Sequence, residues 1–369
     1  MRFTPLDYLK ENSLLAQNLT NIKNQILLRK NAKLSSKNVE RIRALGFKSL
    51  YTKTPEEEAL LEEDVKDIID PIVRKKAIHD IKKCIQSFED QISKQKKELI
   101  YGKAGQELVE IMGTVSSTLV DEILNSADLK ISIMDLKSES DYDYEHAVNT
   151  AVLSIMTAVK KGMNVIDIQN IAKAALLANI GYKDISSDVY HHDGPLTDSQ
   201  RYTIQKHPEY SHALLSKNTN LNAHVRTAIL QHHERMDGSG YPNNLTSDDI
   251  HDYAKIIMIA DVYDAMTSDR IHRSAFLHNE VLEYIMGNAG SLFDFDYANI
   301  FIRCIVPYPA GTYVQLSDHS KAIVLKNNPS HPLRPVIRRF NGTTVDMTEK
   351  GLIDLLEKRN LTIEKIIYD

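Results

Sequence analysis

The sequence has only two cysteines, Cys84 and Cys304, which lie far apart and cannot make a disulfide framework, so a reducing compartment is expected. It has no run of about 18 uncharged apolar residues, which excludes an expected membrane-spanning helix. Its N-terminus, MRFTPLDYLKENS, has no apolar segment followed by small residues. A signal peptide is therefore not expected, and a cytoplasmic location is. Neither sign of charge is in large excess: 45 Lys and Arg stand against 50 Asp and Glu, a formal charge of -5. Such a balance gives no global attraction to a nucleic-acid polymer or an anionic membrane, so any anionic ligand must be held by local basic groups. Internal repeats and low-complexity tracts are also missing.

What is present is enough for two or three packed units: 369 residues, 42% of them hydrophobic. Residues 1–54 read as a small α/β module, in which Val39, Ile42 and Leu45 repeat at helical spacing and Gly46 can end the helix. Residues 55–104 are rich in Glu and Lys with one internal proline, Pro71, and read as a charged, solvated helical connector. From 105 to 303 the pattern is helical: AVNTAVLSIMTAVKKGM, DIQNIAKAALLANIGY, NAHVRTAILQHHER and YAKIIMIADVYDAM space their apolar residues by three and four. Residues 304–369 change character. VPYPAGTYVQLSDHSKAIVLKNN and RPVIRRFNGTTVDM alternate apolar and polar residues between turn signals, which predicts strands. The closing stretch, GLIDLLEKRNLTIEKIIY, reads as a helix with a strand-like end.

The central segment carries the chemistry. His146 lies near the start of a helix, His207 precedes Pro208, and His232 and His233 are adjacent at a helix end. Asp261 sits within the apolar string IIMIADVYDAM, where a carboxylate is costly to bury unless it is paired or bound to metal. Imidazole and carboxylate together suit first-row cations such as iron, manganese, zinc or nickel. Any one of these histidines alone reads as a structural or surface residue; their joint order carries the argument.

That order ends in HHERMDGSGYP. With YEHAVNTAV, KHPEYS, IADVYDAMTSDR and HRSAF, it resembles the HD-GYP family over roughly Asp141 to Phe276. The resemblance implies a mainly α protein with an all-helical core, a bi- or trinuclear iron- or manganese-type centre, and hydrolysis of cyclic di-GMP to linear pGpG or GMP. The cations of such a centre lower the pKa of a bound water and neutralise phosphoryl charge. By position, His146, His207, His232, His233 and Asp261 match the metal ligands, and Gly240, Tyr241 and Pro242 the naming tripeptide. Arg270 and Arg273 match a basic segment suited to two-pronged phosphate contacts. The flanking segments resemble, more weakly, a small domain preceding and a β-rich extension following other HD-GYP domains.

Against the family pattern, three positions have changed together inside AALLANIGYKDIS. Leu176, Leu177, Ile180 and Gly181 keep the frame, but the histidine is Ala178, the aspartate is Asn179 and the lysine is Tyr182. Alanine offers no lone pair, and an amide cannot bridge two dications as a carboxylate does. Tyr142 stands where some relatives have a glutamate. His191, His192 and His212 lie near enough in sequence to be considered as substitutes, though loop and surface positions fit them better. The expected cofactor is a divalent metal, iron or manganese, as one ion rather than two, or none. Three readings follow: a weak or inactive nucleotide-responsive or protein-docking regulator, a working cyclic di-GMP phosphodiesterase, or a pure interaction module. Cyclic di-GMP is the expected small ligand, a protein docked on the GYP loop or the tail the expected partner, and a homodimer is allowed.

Overall fold

A computed structural model of the protein describes residues 2–9, 13–20, 25–45, 47, 49–53, 68–94, 97–126, 141–190, 192, 194–216, 221–268, 275–342 and 344–368. Its Cα framework separates into two compact units: the helical centre of the chain, from Ile69 to Ile302, and a unit built from the N-terminal residues and from Arg303 onward. Among the described residues, no helix is long and apolar enough to cross a membrane.

In the N-terminal segment, β1 (Arg2–Pro5), β2 (Leu14–Leu15) and β5 (Ser49–Lys53) form an antiparallel sheet with β5 in the middle, and β3 (Leu19–Thr20) pairs β4 (Ile26–Leu28). Helix α1 (Ser36–Ala44) begins where the Ser35 hydroxyl accepts from Asn38 N at 3.3 Å, and Leu6, Leu15, Leu34, Ile42 and Leu50 make its small core. The C-terminal sheet runs in the order β10 (Leu352–Asp354), β8 (Val336–Asn341), β7 (Lys321–Lys326), β6 (Tyr313–Leu316), β11 (Ile363–Ile366), with β9 (Thr344–Val345) beside β8. The helix expected from Gly351 does not form. Leu352–Asp354 instead pairs antiparallel with Val336–Arg338, while Leu355 and Leu361 turn into the sheet's core. Pairing to a strand that needed a neighbour overrides the local helical spacing.

The helical unit starts with α2 (Pro71–Lys94) and α3 (Lys97–Leu124). Pro71 opens α2 rather than interrupting it, a position where the missing N–H costs nothing. Despite its many charges α2 is not solvated all round: Arg74, Ala77, Ile81, Cys84 and Phe88 are buried. At the centre lie α4 (Tyr142–Lys161) and α10 (Asp252–Met266), packed on each other and buried on nearly every side. Asp143 and Glu145 near the start of α4, and Lys160 and Lys161 with Gly162 at φ 81° at its end, match the helix dipole and the left-handed cap. Around this pair are α5 (Val165–Leu177), α8 (His207–Ser216), α9 (Ala223–Gln231), α11 (His278–Gly287) and α12 (Phe295–Ile302), with the short α6 (Ser187–Tyr190) and α7 (Asp198–Ile204) outside. The protein is therefore mainly helical, with a small sheet-and-helix N-terminal module and a strand-rich C-terminal region.

Candidate metal centre

His207 and His232 are each fixed at the end of a helix. His207 opens α8 before Pro208, and its Nδ1 donates to Ile204 O at 2.9 Å. His232 follows α9, and its Nδ1 donates to Ile229 O at 2.7 Å. These carbonyl bonds place both protons on Nδ1, so the two Nε2 lone pairs face one another, 3.3 Å apart. Two nitrogens bound tetrahedrally at about 2.0–2.1 Å to one cation stand roughly 3.3 Å from each other. His233 joins them: one nitrogen from each of His207, His232 and His233 lies within 4.8 Å of the others. His233 Nε2 is buried and has no hydrogen-bond partner. All three imidazoles are held neutral. Burial pushes His207 down to about 3, helped by His232, and burial also lowers His232 and, further, His233. Three neutral, converging imidazoles fit one divalent cation, and among the described residues no other His, Cys, Asp or Glu group converges so closely.

The loop after His233 is braced from below. The buried Glu234 carboxylate accepts from Asn243 N at 2.8 Å and Leu245 N at 2.9 Å, while Tyr241 N donates to His233 O. A Cβ on Gly240 would overlap the Arg235 nitrogen and the Glu234 backbone, so only glycine lets this loop fold back on its helix. The result is that Tyr241 lies stacked on His233, ring centroids 4.8 Å apart, ahead of Pro242. Arg235 is half-buried with its guanidinium over the Phe293 ring.

His146 and Asp261 are adjacent to this cluster and paired with each other. His146 Nε2 donates to Asp261 Oδ1 at 2.9 Å and its Nδ1 to Asp264 Oδ2 at 2.7 Å. Burial alone would depress this imidazole, but the two carboxylate hydrogen bonds outweigh it and raise His146 to about 9. Burial would raise Asp261, yet the imidazoles around it, His233 and His146 first, hold it well below the usual carboxylate range. Its Oδ2 lies 3.8 Å from His233 Nδ1. The two carboxylates thus favour the imidazolium form of His146, and binding a cation through Nε2 would require it to give up that proton.

The altered segment follows α5. Ala178 is buried and accepts from Ser211 Oγ through its carbonyl, and Asn179 begins a 3-10 turn, Ile180–Asp184, which packs on α8. A Cβ on Gly181 would overlap His207 O and Ser211 N, so the retained glycine lets the turn approach the first turn of α8. Asn179 Oδ1 is buried without a hydrogen-bond partner. A second cation finds neither an imidazole nor a carboxylate at 178 and 179, so the residues present do not fit a bridged pair. Tyr182 lies flat on His207, and Tyr142 stacks on His146 with centroids 5.5 Å apart. The next lysine, Lys183, is drawn to Glu89 at 3.2 Å and Asp143 at 4.0 Å. His212 is outside the cluster, and Arg270, Arg273 and His191 lie outside the described residues.

Four contributors were not singled out by sequence reasoning: Asp264, Asn149, Glu234 and Arg74. Asp264 and Asn149 each sit three residues after a named site residue on the same helix, which is a legible spacing; Arg74 gave no signal.

Residues 129–296 match the family described as HD domain, and residues 313–368 match the KOW domain associated with HD domain. The cyclic di-GMP phosphodiesterase PdeB of Borreliella burgdorferi is 29% identical over 63% of this chain and 61% of its own. The cyclic di-GMP phosphodiesterase PA4108 of Pseudomonas aeruginosa is 30% identical over 61% of this chain and 55% of its own. The 3'3'-cGAMP-specific phosphodiesterase 1 of Vibrio cholerae is 32% identical over 44% and 37%. The matched stretch thus spans less than two thirds of each relative's length.

Proposed function

The central domain belongs to the HD-GYP type of HD domain, and from that premise we propose that the protein is a cyclic-dinucleotide signalling regulator that binds its nucleotide with little or no hydrolysis. The observation that carries this reading is the Ala178–Asn179 pair, set in an otherwise intact frame where an imidazole and a carboxylate belong. His207, His232 and His233 would hold a single cation, manganese or iron, with Asp261 beside it and His146 joining once it loses its Nε2 proton. Bound there, the cation would act as a Lewis acid toward a phosphoryl oxygen. The protein's own residues do the rest: Glu234 fixes the loop that carries Tyr241, Asp264 orients His146, and Tyr182 covers His207 where a lysine would have met the phosphate. Arg270 and Arg273 are the proposed phosphate contacts.

The relatives named above act on cyclic di-GMP or 3'3'-cGAMP, so a cyclic purine dinucleotide is the ligand class we assign. Of the four segments, 105–303 would read the nucleotide, while 1–54 and 304–369 serve docking and 55–104 connects through α2, which packs into the helical unit. A second reading, slow hydrolysis by one cation, is favoured by the complete three-histidine cluster. Calorimetry with cyclic di-GMP and 3'3'-cGAMP, alongside chromatography of each after incubation with manganese or ferrous iron, separates the readings. Binding without product supports the regulator. Sustained multiple turnover, abolished in His232→Ala, would overturn it in favour of the enzyme, and no binding at all would leave a docking module.

A further inference from the structure

We propose that Arg74, on the helix that enters the domain, is a positioning residue that, through the Asn149 amide, fixes the Asp264 carboxylate behind His146 and so sets the orientation of that imidazole toward the metal site. The inference rests on the single-cation reading above. Arg74 is 2% exposed, among the most deeply buried large side chains of the protein. A guanidinium in such a place needs compensating charge and acceptors. Its Nη1 donates to Asn149 Oδ1 at 2.7 Å, and Asn149 Nδ2 donates to Asp264 Oδ1 at 3.1 Å. Asp264 Oδ2 accepts from His146 Nδ1, and His146 Nε2 meets Asp261 Oδ1. Asn149 and Asp264 are fully buried, and His146 and Asp261 nearly so.

The orientation of the Asn149 amide follows from its neighbours. A guanidinium offers only donors and a carboxylate only acceptors, so the amide oxygen must face Arg74 and the amide nitrogen Asp264. The side chain therefore passes positive polarity from Arg74 to Asp264. The Asp264 carboxylate is thereby gripped on both oxygens, Oδ1 by the Asn149 amide and Oδ2 by His146 Nδ1. A carboxylate behind a ligating imidazole orients the ring and raises its basicity, and its loss usually weakens metal affinity by about 10–100-fold. Arg74 acts one step further back, by holding Asn149 and through it that carboxylate in place.

The test is equilibrium dialysis of the full chain against Mn2+ with elemental analysis, on wild type, Arg74→Met, Arg74→Lys, Asn149→Ala and Asp264→Asn. Melting curves of each in chelator monitor folding. Arg74→Met and Asn149→Ala are expected to weaken Mn2+ binding by about 10–100-fold, and Arg74→Lys to recover most of it. In an Asp264→Asn background Arg74→Met should cost less than about 2-fold, because the carboxylate it positions is gone. If Arg74→Met does not fold, Asn149→Ala and Arg74→Lys decide. Folded variants that bind Mn2+ as tightly as wild type overturn the inference, as does an Arg74→Met loss that is undiminished beside Asp264→Asn. A wild-type chain that holds no Mn2+ overturns the single-cation reading and this inference with it; a wild type that binds beside unaffected variants overturns this inference alone.

Discussion

Tyr182 lies flat on His207, with ring centroids 4.0 Å apart and planes inclined by 19°. The phenol ring therefore covers one face of a site imidazole at the position where an HD-GYP phosphodiesterase carries a lysine. An aromatic pair of this kind contributes about 0.5–1.5 kcal/mol beyond its buried area. Tyr182→Ala is expected to destabilise the metal-free protein by about 1–2 kcal/mol in urea unfolding. It should leave the metal stoichiometry unchanged, since the ring is a cover and not a ligand. Loss of the ion in this variant would instead place the phenol oxygen in the ligand set.

His232 has its Nδ1 committed to a backbone carbonyl and its Nε2 turned toward His207, so it can give a cation one bond, from Nε2. His232→Ala is expected to empty the site on elemental analysis, with at least a 100-fold loss of affinity, more than the ~10–100-fold typical of an outer partner. The alanine variant should still fold, because the removed ring takes no charge out of the core. A variant that keeps a full equivalent of metal would show that the three-histidine cluster is not where the ion sits.

Restoring the altered segment tests its chemistry from the opposite side. Ala178→His, Asn179→Asp and Tyr182→Lys together should raise occupancy from one ion per chain toward two, read by elemental analysis after loading with manganese. Ala178 is buried at 1% exposure, so the added imidazole will crowd its neighbours at a cost of about 1–3 kcal/mol. A folded triple variant that still holds one ion would mean that the space beside Ala178 has closed around the methyl group.

Much of this site was legible before the structure, because its ligand candidates lie in strings whose spacing is tied to chemistry: two adjacent histidines, then the glycines that fold a loop back over them. The charge network behind those residues was far less legible. Asp264 and Asn149 were visible as helical neighbours of Asp261 and His146, yet α4 and α10 are buried all round, so their sequences mark no inward face. Arg74 stands in the run RKK, which reads as a solvated surface; only the packing of α2 against the domain decides that this one guanidinium is inside. The same cause defeated the closing helix, since a demand for a partner by the strand Val336–Asn341 is a tertiary fact with no trace in GLIDLLEK.

The opposite shifts of His146 and the three-histidine cluster give the metal-free protein a stability maximum in pH. His207 is depressed from 6.5 to about 3, chiefly by burial, and His232 and His233 are lowered for the same reason. The unfolded chain takes up these protons below about pH 6.5 and the folded one only at lower pH, so stability falls as the solution is acidified through 6.5. His146 behaves in the reverse sense: burial is outweighed by hydrogen bonds to Asp261 and Asp264, and it holds its proton up to about 9. Its stabilising contribution is complete below 6.5 and fades as pH rises through about 9. Each such site can contribute up to about 1.4 kcal/mol per pH unit, so the acid limb, with three sites, should be steeper than the alkaline limb, with one. Urea unfolding in chelator from pH 5 to 9.5 should therefore peak near about pH 7. His146→Gln should flatten the limb between 6.5 and 9 while leaving the acid limb in place. An alkaline limb that survives the substitution would show that this imidazole carries no charge between its two carboxylates.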